Sequence, residues 1–140
     1  MIISLEAVNI FIYLVNNMSV KMKPVSVIEM DLGLEPYGDA HRYFAERCMV
    51  RMNETYVPCK EGILSEVDYS NIDSECNIHY DELYAGYQYY GQRKDGSHKV
   101  NPDNYTKPGT GPYWDQLMLS AERKDLEQDM QDYIKKRGRK

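Results

Sequence analysis

Three cysteines (Cys48, Cys59, Cys76), three histidines (His41, His79, His98) and 22 carboxylates are the side chains of this 140-residue chain best suited to chemistry. Their spacing argues against most of it. Cys76-Asn-Ile-His79 is the one Cys/His pair at a metal-ligand interval, and a zinc site needs a second pair, which the sequence does not offer. A structural role is the expectation for it. Three widely spaced cysteines without a CxxC fit no disulfide framework and point to a reducing compartment. Gly109-Thr-Gly111 lacks the Gly-Lys-Ser/Thr that completes a phosphate loop, and no strand pattern leads into it. The histidines are scattered and no Ser or Cys stands in a nucleophile setting, so no catalytic residue, cofactor or metal site is expected. The carboxylates read as a solvated face. Asn53-Glu-Thr55 and Asn104-Tyr-Thr106 match the glycosylation acceptor pattern, but a motif this short recurs by chance and nothing else suggests secretion.

The chemistry that remains is recognition. Seven of the thirteen tyrosines (Tyr80, Tyr84, Tyr87, Tyr89, Tyr90, Tyr105, Tyr113) fall in one stretch that closes on Pro108-Gly-Thr-Gly-Pro-Tyr-Trp114-Asp115. Tyr and Trp bury a large ring and keep a polar handle, which suits a surface dry against a partner and wet at its rim. Tyr87, Tyr89, Tyr90, Tyr105, Tyr113 and Trp114 are therefore the candidate interface residues. The competing reading is a small core that uses Tyr for Phe.

Charge narrows the partners. Residues 27–90 carry 13 acidic and 4 basic side chains, while the last six residues carry five positive charges. An acidic body repels phosphate, so sequence-independent nucleic-acid binding by the domain is not expected, and the basic tail reads as a solvated helix end. Ala7 to Val15 is mostly apolar but too short to span a bilayer, and it lacks a basic flank or a clear cleavage site. Residues 1–23 are expected to be an N-terminal arm or strand, or to precede a natural start at Met18 or Met22. Residues 24–140 are expected to form one domain.

The elements that would position the tyrosines can be read from periodicity. Ile28, Met30, Leu32 and Leu34 alternate with charged or small residues, which predicts a strand broken by Pro36 and Gly38. Asp39 is expected to cap a helix carrying Ala40, Phe44, Cys48, Met52 and Tyr56 on one stripe, ended by Pro58. Residues 63–69 and the alternation Cys76, Ile78, Tyr80 suggest further strands, and 84–90 reads as a helical turn or a strand edge. Residues 91–112 hold four of the nine glycines and three of the six prolines, so a long loop is expected. Trp114, Leu117, Met118, Ala121, Leu126, Met130, Tyr133 and Ile134 form a helical stripe that slips between 121 and 126. The expected core of the two helices is Phe44, Cys48, Met52, Leu117, Ala121 and Met130.

Several of these segments in order carry a resemblance. Tyr56-Val-Pro58 with Gly62 and Leu64, Ile78-His-Tyr80, Tyr84-Ala85, Tyr87-Gln-Tyr-Tyr-Gly91 and Gly111-Pro-Tyr-Trp-Asp115 are similar to the small minor capsid proteins of long-tailed bacteriophages, of the neck and tail-completion type. The likeness runs from about Pro24 to Gly138. Cys59-Lys-Glu61 departs from the turn expected before Gly62, and the first 17 residues have no counterpart. The resemblance implies an α+β fold, with two main amphipathic helices packed on a small, mostly antiparallel sheet. It implies a non-enzymatic virion protein assembled in the host bacterial cytoplasm, a homo-oligomeric ring, taken as a hexamer, in the head–tail connector. Neighbouring neck and tail proteins are its implied partners, with DNA only as passing cargo and no membrane or cofactor. A protein-binding adaptor that uses the Tyr-rich surface, and a small hydrolase or nuclease with a polar pocket, are the alternatives.

Overall fold

The computed structural model describes residues 2–3, 25–58, 63–102, 105 and 107–139. Its elements are strand β1 (Ile2–Ile3), helices α1 (Val25–Leu32) and α2 (Asp39–Arg51), strand β2 (Ile78–His79), and helices α3 (Ala85–Tyr90) and α4 (Trp114–Gly138). α2 continues directly into a single π turn, Met52–Tyr56, and a 3-10 turn spans Tyr69–Asn71. No helix among the described residues is long and apolar enough to cross a membrane.

α2 forms where its stripe predicts. Ala40, Phe44, Ala45, Cys48, Met49 and Met52 are all buried, and Asp39 and Arg51 complement the helix dipole at its two ends. The capping residue is Gly38, in extended backbone, rather than Asp39, which lies inside the first turn and gives its carboxylate to Arg137 at 2.8 Å. The helix widens at Met52 and closes with the Val57 N–H donated to Met52 O at 2.9 Å; Pro58, with no N–H to donate, follows.

α4 packs along α2 and its π turn. It buries Trp114, Met118, Leu126, Met130 and Ile134, residues spaced by four or eight. The slip in the stripe is a real break: Glu122 has φ −122° and ψ 16°, outside the helical region. Leu117 is 38% exposed and Ala121 lies on the solvent side, so of the expected core Phe44, Cys48, Met52 and Met130 are buried and these two are not.

Glu122 occupies the empty place in that row. It accepts from Arg51 Nη1 at 2.7 Å and from the Tyr56 hydroxyl at 3.0 Å, while Arg51 Nη2 reaches Asp129 at 2.7 Å and Arg47 Nε reaches the same carboxylate at 3.0 Å. These groups are mostly shielded from solvent, so the clamp is less screened than an exposed pair. Burial alone would raise the Asp129 carboxyl, but hydrogen bonds from Arg51 and Arg47 outweigh it and hold the group below its ordinary value.

The α+β arrangement with helices on a small antiparallel sheet is not what forms: the described residues are mostly helical. Extended pairing among the described residues is limited to the two-residue ladder Ile2↔His79 and Ile3↔Ile78 and one bridge, Ile72↔Ile78. The region 63–80 is occupied by local side-chain turns instead. Asp68 accepts from the Ser70 N–H, and Asp73 accepts from the N–H groups of Glu75 and Asn77, each at 2.9 Å. Such bonds compete with a strand ladder for the backbone. The alternation of Cys76, Ile78 and Tyr80 nevertheless places all three side chains in the core.

The segment expected as a strand at 28–34 is helical through Leu32. Ile28 and Leu32, four apart, face the core, and Met30 points to solvent. Gly33, at φ +68°, turns the chain back toward α2, and the Arg137 guanidinium packs over it so closely that a Cβ would lie 2.9 Å from Cζ. Arg137 also donates to Asp31 O, Asp39 and the Tyr133 hydroxyl, tying the ends of three helices together. The expectation for residues 1–23 lies outside the described residues, apart from the pairing of Ile2 and Ile3.

Two predictions test this packing. Phe44→Ala should cost about 3–5 kcal/mol, whereas Leu117→Ala should cost less than about 1 kcal/mol, measured by chemical denaturation. Because Asp129 is held below its unfolded pKa of about 3.9, the clamp contributes stability that is present above that pH and is lost as pH falls through the depressed value. The denaturation midpoint should therefore drop below about pH 4, and Arg51→Met should flatten that dependence.

Candidate interface around the tyrosine cluster

α3 is short, and the aromatic contacts around it fix its position. Ala85 is its one buried residue, and Gly91 ends it in the left-handed conformation at φ +67°. From α3, Tyr89 reaches the core: its ring meets Trp114 edge-on at 4.9 Å, Tyr113 at 5.1 Å and Tyr90 at 5.0 Å. Trp114 meets Tyr80 edge-on at 5.3 Å from the other side. Five rings thus run from the interior to the surface, each pair in the edge-to-face geometry that aromatic quadrupoles favour.

Polar bonds lock the series. The Tyr89 hydroxyl donates to Asp115 Oδ1 at 2.8 Å, and the Tyr113 N–H donates to Tyr89 O at 2.9 Å. Burial first, and then the Asp115 carboxylate, push the Tyr89 phenol well above its ordinary value, so it stays a protonated donor. At the inner end the Tyr80 hydroxyl donates to Asn53 Oδ1 at 2.6 Å, while Asn53 Nδ2 donates to Glu66 O at 2.8 Å. Tyr113 sits at φ 55°, ψ 47°, a conformation that costs a bulky residue roughly 1 kcal/mol or more. It lets adjacent rings diverge, with Trp114 fully buried and Tyr113 41% exposed.

The six candidate residues therefore separate. Trp114 is core, and Tyr89 is a half-buried strut between core and surface. Tyr90, 53% exposed, and Tyr113 present their rings outward. Tyr105 is half-buried and donates its hydroxyl to Gln88 O at 3.0 Å, pinning the 91–112 connection, which contains no α-helix or strand among its described residues, onto α3. Tyr87 and Tyr90 line an open groove of ≈ 920 Å³ with Gly86, Gln92, Arg93, Lys94 and Asp95. Sequence reasoning missed Arg93 and Lys94 in this setting. Only the dipeptide's place next to the tyrosines could have drawn attention to it.

The chemistry-bearing residues are engaged elsewhere. His79 Nε2 lies 2.8 Å from Asp73 Oδ2, so the Cys76-Asn-Ile-His79 segment is built into the Asp73 turn. Asp73 is held below its ordinary value, first by that histidine and then by the Asn77 N–H. His41 Nδ1 accepts from the Tyr37 N–H, and His98 meets the Ser97 hydroxyl. Burial raises the Cys48 thiol, away from the reactive thiolate. Among the described residues no group of three or more His, Cys, Asp or Glu could hold a metal ion.

A mostly helical domain with an outward-facing tyrosine cluster fits a protein that works by contact. A family model described as minor capsid protein matches residues 38–137, more than two thirds of the chain. The chain belongs to this family and so to the structural proteins of the bacteriophage virion. The match begins at Gly38 and leaves out Pro24–Tyr37, where the sequence resemblance had begun. Comparisons with curated proteins and with solved structures find no match.

The division of roles predicts different responses from adjacent tyrosines. Tyr89→Phe should lose about 1.5–3 kcal/mol, the range for a hydrogen bond to a charged group. Tyr90→Phe, with the same atom removed from an exposed ring, should stay within about 0.5 kcal/mol by chemical denaturation.

Proposed function

We propose that this minor capsid protein is a component of the head–tail connector, assembling as a ring of identical copies, taken as a hexamer, between the DNA-filled head and the tail. It does no chemistry of its own. Its partners are further copies of itself and the adjoining neck and tail proteins, met during assembly in the host cytoplasm, and DNA is only cargo passing through.

The observation that carries this reading is the ring series ending in Tyr90 and Tyr113. A partner that covers these rings meets a surface already fixed from behind by Trp114, Tyr89 and Asp115, so little ordering entropy is lost on contact. The exposed Glu66, Asp68 and Glu75 support the second half of the reading, since a negative wall lets DNA slide without adhering.

Replacing Tyr90 and Tyr113 together by Ala should leave the isolated subunit folded by circular dichroism and weaken head–tail joining by tenfold or more, as expected when aromatic hot spots of roughly 2 kcal/mol each are removed. Joining is read from the yield of complete particles when mutant subunits complement tailless heads. Normal yield with the folded double variant would reject the interface.

A further inference from the structure

Leu83 is 104% exposed, more than in an extended chain. It stands at the tip of a turn closed by the Ala85 N–H donated to Glu82 O at 2.9 Å, with Asp81 and Glu82 exposed beside it. The turn belongs to a segment, residues 63–84, that holds six carboxylates and no lysine or arginine. The result is a single apolar knob on an acidic corner.

The groove on α3 is its chemical complement. Tyr87 and Tyr90 supply apolar walls, and Arg93 and Lys94, both exposed, supply positive charge at the rim. Neither takes part in an ion pair among the described residues. Asp95, the one acid lining the groove, is held within its own turn: it accepts from the Ser97 N–H at 2.9 Å and the Ser97 hydroxyl at 2.6 Å. Backbone bonds from Gly96 N to Arg93 O and from Arg93 N to Ser97 O keep that turn closed. The positive rim is thus preformed.

We infer that the groove of Tyr87, Tyr90, Arg93 and Lys94 receives the Asp81-Glu82-Leu83 corner of a second copy of this chain. The inference rests on the reading that the protein self-associates, and it names the two surfaces that meet. Burying Leu83 between tyrosine rings removes apolar surface from water, and the acidic pair beside it faces the basic rim; attraction of that kind also sets which surfaces find each other. A knob and a groove that differ in chemistry join copies heterologously, the contact that closes into a ring when the rotation allows.

Sedimentation velocity on the 140-residue chain tests it. Asp81→Lys with Glu82→Lys, and separately Arg93→Glu with Lys94→Glu, should each weaken self-association by about tenfold or more, since each sets like charges face to face. An equimolar mixture of the two reversed proteins should recover the complex, because each groove then meets an oppositely charged corner. Leu83→Asp should weaken association in the native charge background. Should a reversed variant lose its helical circular dichroism signal, Leu83→Cys protein mixed with Gln92→Cys protein replaces it, and a disulfide between copies under mild oxidation is the expected result.

An oligomer that resists both reversals, a mixture that fails to recover, or no cross-link would overturn this contact and leave self-association standing. A wild-type chain that stays monomeric across the concentration range would overturn both readings.

Discussion

Both long helices place buried residues four apart, and an α-helix of 3.6 residues per turn does not hold that spacing on one face. Each step of four overshoots a full turn by about 40°, so a row of this kind winds around the helix and leaves its partner within a few turns. The two helices answer the problem differently. α2 widens into a π turn at Met52–Tyr56, which advances less per residue and brings the row back, while α4 breaks its regular backbone at Glu122. The irregularities meet: Arg51 and Tyr56, at the two ends of the widened turn, both bond the Glu122 carboxylate. The apolar rows on either side depend on that one carboxylate to stay in register.

The tyrosine surface inherits this rigidity. Trp114 opens α4 and lies in the same core as Met52 and Met118, so the rings leading outward through Tyr89 are continuous with the helix pair. A surface built on a loop alone would need ordering before it could bind. Here the 91–112 connection has its ends fixed, with the Val100 N–H donated to Gly91 O and the Tyr113 N–H donated to Tyr89 O. Acidic and basic side chains are also kept apart along the chain, which leaves the groove on α3 with a sign opposite to that of the 63–84 segment.

Much of this was legible in the residues. The rows of α2 and α4 could be read because apolar side chains at helical spacing have few other uses, and the break at Glu122 was visible as a slip in the second row. What the slip contained was not. A glutamate on an amphipathic helix looks like a surface residue until its partner is known, and Arg51 lies 71 residues earlier. Ile28, Met30, Leu32 and Leu34 satisfy a period of two, but they also contain the pair Ile28/Leu32, and only the outward Met30 decides for helix. Between 63 and 77 the expected strand gives way to turns at Asp68 and Asp73, whose short acceptors hold backbone N–H groups that a ladder would have used. Residue type also placed Trp114 with the surface tyrosines, although it is core, and gave no sign that Leu83 would be left bare.

Asn53 carries a consequence for how the protein can be made. The residue is 2% exposed and its amide joins the π turn to Glu66 and Tyr80, yet it is also the acceptor of an Asn-Glu-Thr sequon. A sugar attached to that nitrogen would replace one of its two N–H hydrogens and demand space that a residue buried between Glu66 and Tyr80 does not have. In a eukaryotic secretory host, where the enzyme meets the chain before it folds, the modified subunit would be unable to close the 63–80 region onto α2. Bacterial or cell-free synthesis without glycosylation avoids the lesion altogether.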